Sequence, residues 1–592
     1  MYQISNYKKK HFFIFLISII FIIFWLYPLW YTKDLAIIED GNRYLQRIEA
    51  FKITIFEYKQ FPQNNPWVRG GSPLSILLMS PLSIKFWLFM TLETKSALSF
   101  YMLFSFVVLF YGSYKVASFY FRNRIFRYFF AFLSIFNIAL IFHLKAGHFI
   151  FLSFCYFPLV FYFLFKHRTI KYSGVFSGYL FGLMLDDDMA YMTAYCILIL
   201  GIFIIYFLIN SKKRNRKKIY YWIFFFCLTS LSVIAYKLNI FIEIQQEFGR
   251  KVTGVHFVNI LVLLKSYLIP YYELKGGVFP GQRYCETTWE NSVYVGVIAF
   301  IFIFYAFKNK FNSVHFIILF LFLLQLGTLP YLPYGLLKNL PVFESHLCFN
   351  RIRTYNSFYL SILIITGFIY ISKHKDNKLY KIRNYLLIFV LIERLLTSHF
   401  LMYGTHKNYK DVHTFSKNSV SMQYKDFNIL EKYKDNKKFF NYTILPSYEA
   451  TKQNIGVMRT GGDSFLSYST YGKNYIGAYA MGEIEYKGEF TIDEKIIEPE
   501  FWSPNVIIFN NLDINKKLQL NMNPNRGWKL NGQELFRNHK IWEPNKQFVI
   551  NITEPSIKLT YEAPGKKRGI IINLLVFFIL LISVYKFKNI KL

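Results

Sequence analysis

The sequence predicts an α-helical polytopic membrane protein: about twelve spanning helices, a β-rich extracytoplasmic domain near the C-terminus, and one final transmembrane helix. Three observations predict it. Apolar runs near the ~20 residues that cross a bilayer recur from Phe12 almost to the end of the chain. Basic residues gather in every second connection between those runs. Between residues 403 and 567 the apolar runs give way to short β-type segments separated by Asn, Pro and Gly. The 592-residue chain is 54% hydrophobic and 21% aromatic, with a mean hydropathy of +0.25. That composition excludes an ordinary soluble enzyme.

The first run, Phe12 to Trp30, is too long for a signal-peptide core and lacks a small-residue cleavage site, so it reads as a retained helix. Further spanning helices fall near 97–120, 126–142, 149–165, 174–185, 190–209, 219–240, 292–307, 314–330, 357–372, 384–402 and 569–585. Two apolar stretches read differently. Pro73–Leu92 carries two Ser-Pro pairs and Lys85, and a single crossing there would invert every later loop, so it is expected to be re-entrant or interfacial. Phe257–Ile269 is short, carries Lys265 and is also read as interfacial.

Alternation from a cytoplasmic N-terminus puts segments 1–11, 121–127, 166–172, 211–218, 308–312, 373–383 and 586–592 inside. They hold the Lys8–Lys10 run, Arg122, Arg124 and Arg127, the SKKRNRKK block and the KHKDNKLYKIR block, with Asp376 their one acidic residue. Both termini are therefore expected in the cytoplasm, and the net charge of +34 reads as topology rather than as a nucleic-acid surface. Residues 1–402 form a multi-span unit with a large first outer loop at 31–96. Residues 403–567 form the outer domain, and 568–592 the closing helix with its basic tail. Runs such as KFFNYTIL, NVIIFNN and KLQLNMN supply its strands, and Asn531-Gly532 signals a hairpin. Cys155, Cys196 and Cys227 lie in apolar runs. Cys285 and Cys348 lie in loops where a pairing is open.

The oddest stretch is Asp186-Asp187-Asp188, three carboxylates interrupting an apolar run. The topology places them at an outward-facing turn. Other polar residues fall on that side: Glu39 and Asp40, His148, Glu290, Glu344 and His346, and Arg351 and Arg353. Each has an ordinary reading. Carboxylates at a helix end often just meet water, a histidine can cap a helix, and arginines snorkel to headgroups. Taken together they suit a site. Paired carboxylates serve as a general base or hold a hard divalent cation such as Mg or Mn. The guanidinium fork matches a phosphate.

The chain resembles the GT-C glycosyltransferases, and among them the YfhO-type bacterial membrane proteins. The likeness runs through Glu39-Asp40 after the first helix, then QFPQNNPWVRGGSPL with Phe61, Pro62, Trp67, Gly70 or Gly71, and Pro73. It continues through AGHFIFLSFCYFPLVF, TTWENSVYVG, LPYGLLKNLPVFESHLCFNRIR and the C-terminal NPNRGWKLNGQE. Two positions depart from the pattern: Ile352 stands where a proline usual in the family separates the arginines, and Asp186–Asp188 replace a Gly-His-type turn. The resemblance implies an inverting transferase at the outer membrane face, moving a sugar from a polyprenyl-phosphate-linked donor to a glycan or glycolipid acceptor. It implies Asp40 as base with Glu39 as helper, and Arg351, Arg353 and His148 on the donor phosphate. Asp186, Asp187, Asp188 and Glu290 would be candidate metal ligands. Membrane lipid is the expected surrounding partner, and no nucleic acid is expected. A flippase for lipid-linked glycans and a non-catalytic envelope scaffold are the rival readings, although no inverted repeat supports transport.

Overall fold

A computed structural model describes residues 2–31, 39–67, 71–73, 79–187, 192–248, 260–269, 293–308, 313–327, 332–337, 340, 343, 349–403, 428–429, 452, 455–456, 490–520, 522, 526–535 and 548–588. Every apolar run read as a spanning segment contains a helix there. Among the described residues, seven helices are long and apolar enough to cross a membrane, and four shorter apolar helices accompany them. The chain is a polytopic helical membrane protein with a β-rich unit before its last helix.

The first helix, α1, spans Tyr2–Tyr31, and α2, Glu39–Phe56, follows it in the connection to the next spanning helix. α3 (Ile84–Thr91) is capped by Ser83, whose side chain accepts from the Phe86 amide. At ~1.5 Å per residue its eight residues are too few to cross a bilayer, in keeping with a re-entrant or interfacial Pro73–Leu92. α4 follows at Thr94–Tyr120. The predicted helix 126–142 is two: α5 (Arg124–Ile135) and α6 (Ile138–Lys145). Asn137 makes the break. Its side-chain oxygen accepts from the Leu140 amide, and its Nδ2 donates to the Thr354 carbonyl at 2.9 Å. The run 149–165 also divides, into a 3₁₀ stretch, Phe149–Tyr156, and α7, Phe157–Phe165, with Pro158 in its first turn.

α8 (Ser173–Asp187), α9 (Met192–Ile209) and α10 (Lys213–Phe248) follow. Gly174, Gly178 and Gly182 recur every fourth residue along α8 and face α10. A Cβ on Gly174 would sit 2.7 Å from the Trp222 carbonyl oxygen and one on Gly182 2.8 Å from Val233 Cβ. Small residues at this spacing let two membrane helices approach backbone to backbone. Next come α11 (Ile260–Leu268), α12 (Val297–Phe307), α13 (Ser313–Leu324), α14 (Pro333–Leu337), α15 (Arg353–Lys373) and α16 (Arg383–Tyr403). α12 begins later than the predicted residue 292 because Gly296 takes a φ of +99°, and the extended residues before it bond to α11, Val295 N donating to the Tyr267 carbonyl at 2.8 Å. Gly367 of α15 lies against α12, where a Cβ would overlap the Phe302 carbonyl. Gly367→Ala is expected to destabilise the fold by about 1–3 kcal/mol, the usual cost of overpacking, read as a lower melting temperature in detergent.

Arg394 is fully buried in α16. Its Nη1 donates to the Leu133 carbonyl and to Ser361 Oγ, both at 3.2 Å, tying α16 to α5 and α15. Its neighbour Glu393 accepts from the Tyr294 hydroxyl. The two charges thus have separate partners, in addition to any attraction between them. At the end of the bundle where α8 begins, the basic connections meet: Arg168 Nη2 donates to Ser211 Oγ at 2.6 Å.

Two short strand pairs, β1 (Asn64–Asn65) with β2 (Ser72–Pro73) and β3 (Asn428–Ile429) with β4 (Ile455–Gly456), precede the two larger antiparallel sheets of the β-rich unit. β5 (Phe490–Ile492), β6 (Lys495–Ile497), β9 (Lys517–Leu520) and β12 (Phe548–Asn551) form one, in the order β12-β9-β5-β6. β7 (Phe501–Trp502), β8 (Val506–Phe509), β10 (Trp528–Leu530), β11 (Gln533–Glu534) and β13 (Ile557–Tyr561) form the other, in the order β11-β10-β13-β8-β7. Phe490 meets Phe509 edge-on at 5.2 Å, and Trp528 meets Phe548 at 6.3 Å, so the sheets face each other. Asn531 and Gly532 form the predicted two-residue turn, both at positive φ. The segment KFFNYTIL, Cys285 and Cys348 lie outside the described residues. The last helix, α17 (Lys566–Lys588), packs on α10, where Gly569 lets its backbone come close to Tyr236.

Candidate active site

Asp186 and Asp187 end α8. The C-terminus of a helix carries partial negative charge, so carboxylates there need positive partners. Each has a lysine. Lys85 of α3 lies 2.7 Å from Asp187, and Lys237 of α10 lies 3.4 Å from Asp186 and also donates to the Asp186 main-chain carbonyl. The Ser80 amide donates to both Asp186 carboxylate oxygens, at 3.1 and 3.0 Å, and the Tyr101 hydroxyl donates to Asp187. All four charged side chains are at least nine-tenths buried. The outward-facing turn expected from the sequence is here a buried, lysine-neutralised cluster. Lys85 was visible in sequence only as a reason to doubt a crossing, and Lys237 sits inside a run that otherwise reads as plain membrane helix.

Burial alone would lower the pKa of Lys85, but Asp187 outweighs it and the ammonium titrates above its usual range. Tyr44 of α2 lies beside this ammonium, its ring centroid 5.3 Å from Lys85 Nζ, and burial pushes its phenol up to about 12. The same ring meets Phe149 edge-on at 5.6 Å. Tyr44 therefore joins the acidic cluster to the 3₁₀ stretch that follows His148.

There His148 and His143 bring their Nδ1 atoms to 3.1 Å, one donating and the other accepting. His143 stacks on Phe151 with centroids 3.7 Å apart, and the Arg351 guanidinium lies 5.7 Å from the same ring. Sequence reasoning missed His143 and Phe151. A signal existed in a second histidine five residues before His148 within an apolar run. Arg353 is buried at the head of α15. One turn on, Asn356 donates to the Tyr267 hydroxyl at 2.6 Å, and that hydroxyl donates to Gln325 at 2.7 Å.

Glu39 and Asp40 open α2, Asp40 one turn before Tyr44. Carboxylates in a first turn complement the helix dipole, so the position is favourable irrespective of chemistry. Asp188, Glu290, Glu344 and His346 lie outside the described residues. Among the described residues no three His, Cys, Asp or Glu side chains group as a metal site. Asp186 and Asp187 do not fit a divalent cation, because each carboxylate already faces an ammonium that the cation would repel.

No family model and no curated protein matches the chain. Its fold is similar to that of mycobacterial arabinofuranosyltransferase AftD, at 12% identity and a TM-score of 0.38 over 60% of this chain and 24% of that one. A mutant form of AftD gives 12% identity and a TM-score of 0.40, over 65% of this chain and 27% of that one. The Archaeoglobus fulgidus oligosaccharyltransferase in its apo form gives 13% and 0.38, over 66% of this chain and 56% of that one. The chain thus spans about a quarter of AftD and just over half of the oligosaccharyltransferase.

Proposed function

We propose that the chain is an integral-membrane glycosyltransferase of the GT-C kind, acting at the outer face of the membrane on a polyprenyl-phosphate-linked sugar. The observation that carries this reading is a convergence at one end of the bundle. The helix that Glu39 and Asp40 open, the acidic end of α8, and the His148–His143–Phe151–Arg351 group are joined through Tyr44 and Phe149. The likeness to the YfhO type rests on the motifs quoted above. Charge distribution supports cytoplasmic termini and an outer β-domain.

In this reading Arg351 and His148 grip the donor phosphate, and Arg353 supports the Arg351 segment from within α15. Asp40 takes the proton of an acceptor hydroxyl, with Glu39 assisting. The hydroxyl oxygen bonds to the anomeric carbon from the face opposite the phosphate, and the carbon–oxygen bond to phosphate breaks. Polyprenyl phosphate leaves with the electron pair, its charge held by Arg351. The acceptor is a surface glycan, a teichoic-acid-like polymer or a glycolipid. No step runs through a cation at Asp186 or Asp187. A metal role, if the reaction has one, belongs to Asp188 and Glu290.

The test uses the full chain in nanodiscs, offered a panel of polyprenyl-phosphate sugars with envelope extracts as acceptor. Release of polyprenyl phosphate coupled to acceptor labelling is expected with at least one donor. No donor consumed, together with movement of lipid-linked glycan across proteoliposomes, would replace this reading with transport.

A further inference from the structure

The β-domain is joined to the first outer loop by a buried chain of amides. Asn505, in the turn between β7 and β8, donates from Nδ2 to the Phe61 carbonyl at 2.7 Å and accepts from the Asn64 amide at 3.1 Å. Asn64 returns a bond from its own Nδ2 to the Pro504 carbonyl at 2.9 Å. The next residue, Asn65, exchanges two bonds with Gln46 of α2, at 3.2 and 3.3 Å. Gln63 brackets the end of β13, donating to the Tyr561 carbonyl at 3.2 Å and accepting from the Ala563 amide at 3.1 Å. Gln46, Gln63, Asn64, Asn65 and Asn505 are all buried.

Adhesion between these parts does not need amides. Trp67 already meets Trp502 edge-on at 6.4 Å, and Tyr58 meets it at 6.1 Å. Buried amides add direction: each bond broken by a change of orientation would strand a polar group in the interior, so the bonds made here favour one mutual orientation. The orientation fixed is that of α2. At ~100° per residue, Tyr44 and Gln46 lie about 200° apart around the helix, close to opposite faces. The membrane bundle holds the start of α2 at Tyr44, through Lys85 and Phe149, and its later turns at Glu49 and Lys52, which bond Thr94 and the Leu92 carbonyl. The loop carrying Asn64 and Asn65 holds it at Gln46, and the β-domain holds that loop.

We infer that Asn505, Asn65 and Gln46 are positioning residues through which the β-domain sets the axial rotation of α2. With it they set the placement of Asp40; that last step rests on the function proposed above. The outer domain is then part of the site's framework.

Hydrogen exchange of the full chain in nanodiscs tests this without relying on catalysis. Asn505→Ala and Asn65→Ala, both outside α2, are expected to raise exchange across residues 39–56 about fivefold to tenfold, the population change a lost hydrogen bond of ordinary strength permits. Protection in α4 and in β8 and β13 should persist. Gln533→Ala, on exposed β11, should change nothing in α2. If Asn505→Ala loses protection in its own sheet, Asn65→Ala decides alone. Unchanged exchange over 39–56 in a folded Asn65→Ala protein would overturn the inference. For donor turnover, kcat should fall in both variants with the donor KM retained, since the donor's phosphate is gripped elsewhere. Altered exchange with no change in turnover would leave the relay standing and remove Asp40 from the chemistry.

Discussion

Asp40→Asn is expected to lower donor turnover by roughly 10²–10⁴-fold, the range that a positioned general base supplies. The substitution keeps the size of the side chain and removes its ability to take a proton. The loss should appear in kcat, with the donor KM nearly unchanged, because the proposed mechanism gives the phosphate grip to Arg351 and His148. α2 should remain folded. Its anchors at Tyr44 and Gln46 are untouched, and only a favourable first-turn charge is lost, worth about 0.3–1 kcal/mol. Arg351→Ala should fail in the complementary way, raising the donor KM as well as lowering kcat. Steady-state rates over a donor titration separate the two. Turnover of Asp40→Asn at the wild-type rate would remove it as the base.

Lys85→Met is expected to destabilise the protein by about 3–5 kcal/mol, the cost of leaving one member of a buried ion pair without its partner. The side chain that remains, Asp187, is buried against Tyr101 at the negative end of α8, and the neighbouring ammonium of Lys237 is already paired with Asp186. The double variant Lys85→Met with Asp187→Leu should recover most of the loss, since a buried pair exchanged for apolar groups is often neutral or better. Thermal melts of wild type, both single variants and the double variant in one detergent give the coupling directly. A simple sum of the two single effects would mean that the pair is not a unit. The pH dependence has a defined sign. The folded pKa of Lys85 lies above its unfolded value, so its contribution is complete below about pH 10.4 and fades only as pH rises through the folded value. Acidification to pH 6 should leave this contribution intact.

The spanning helices were legible because lipid enforces a simple rule of length and polarity. The Asn531-Gly532 hairpin was legible because the turn needs positive φ at both residues. The divisions at Asn137 and Pro158 were not: an apolar run conceals a break whose reasons are a side-chain cap and a bond to a carbonyl more than 200 residues away. The site was legible in part. His148, Arg351 and the aspartates stood out as polar residues at membrane depth, but their partners did not. Lys85 and Lys237 each look like an isolated cost until Asp187 and Asp186 are placed beside them. The run QFPQNNPW was recognisable as a motif. Its work as a clamp between α2 and the β-domain is long-range pairing that local sequence does not encode.

The pairing of Lys237 with Asp186 also bears on how the chain enters the membrane. Each of these helices, inserted alone, would carry an uncompensated charge into lipid, at about 2.5 kcal/mol or more on the mildest scale. Side by side, with the glycines of α8 against α10, the two charges cancel and the backbones close up. α9 lies between them in the chain, so the smallest unit that pairs Lys237 with Asp186 is the trio α8–α9–α10, while Asp187 of α8 depends on Lys85 of α3. α8 and α10 are therefore expected to enter lipid together rather than one after the other. A substitution at Gly178 would then act first on biogenesis, lowering the amount of protein reaching the membrane before it touched the activity of the molecules that arrive.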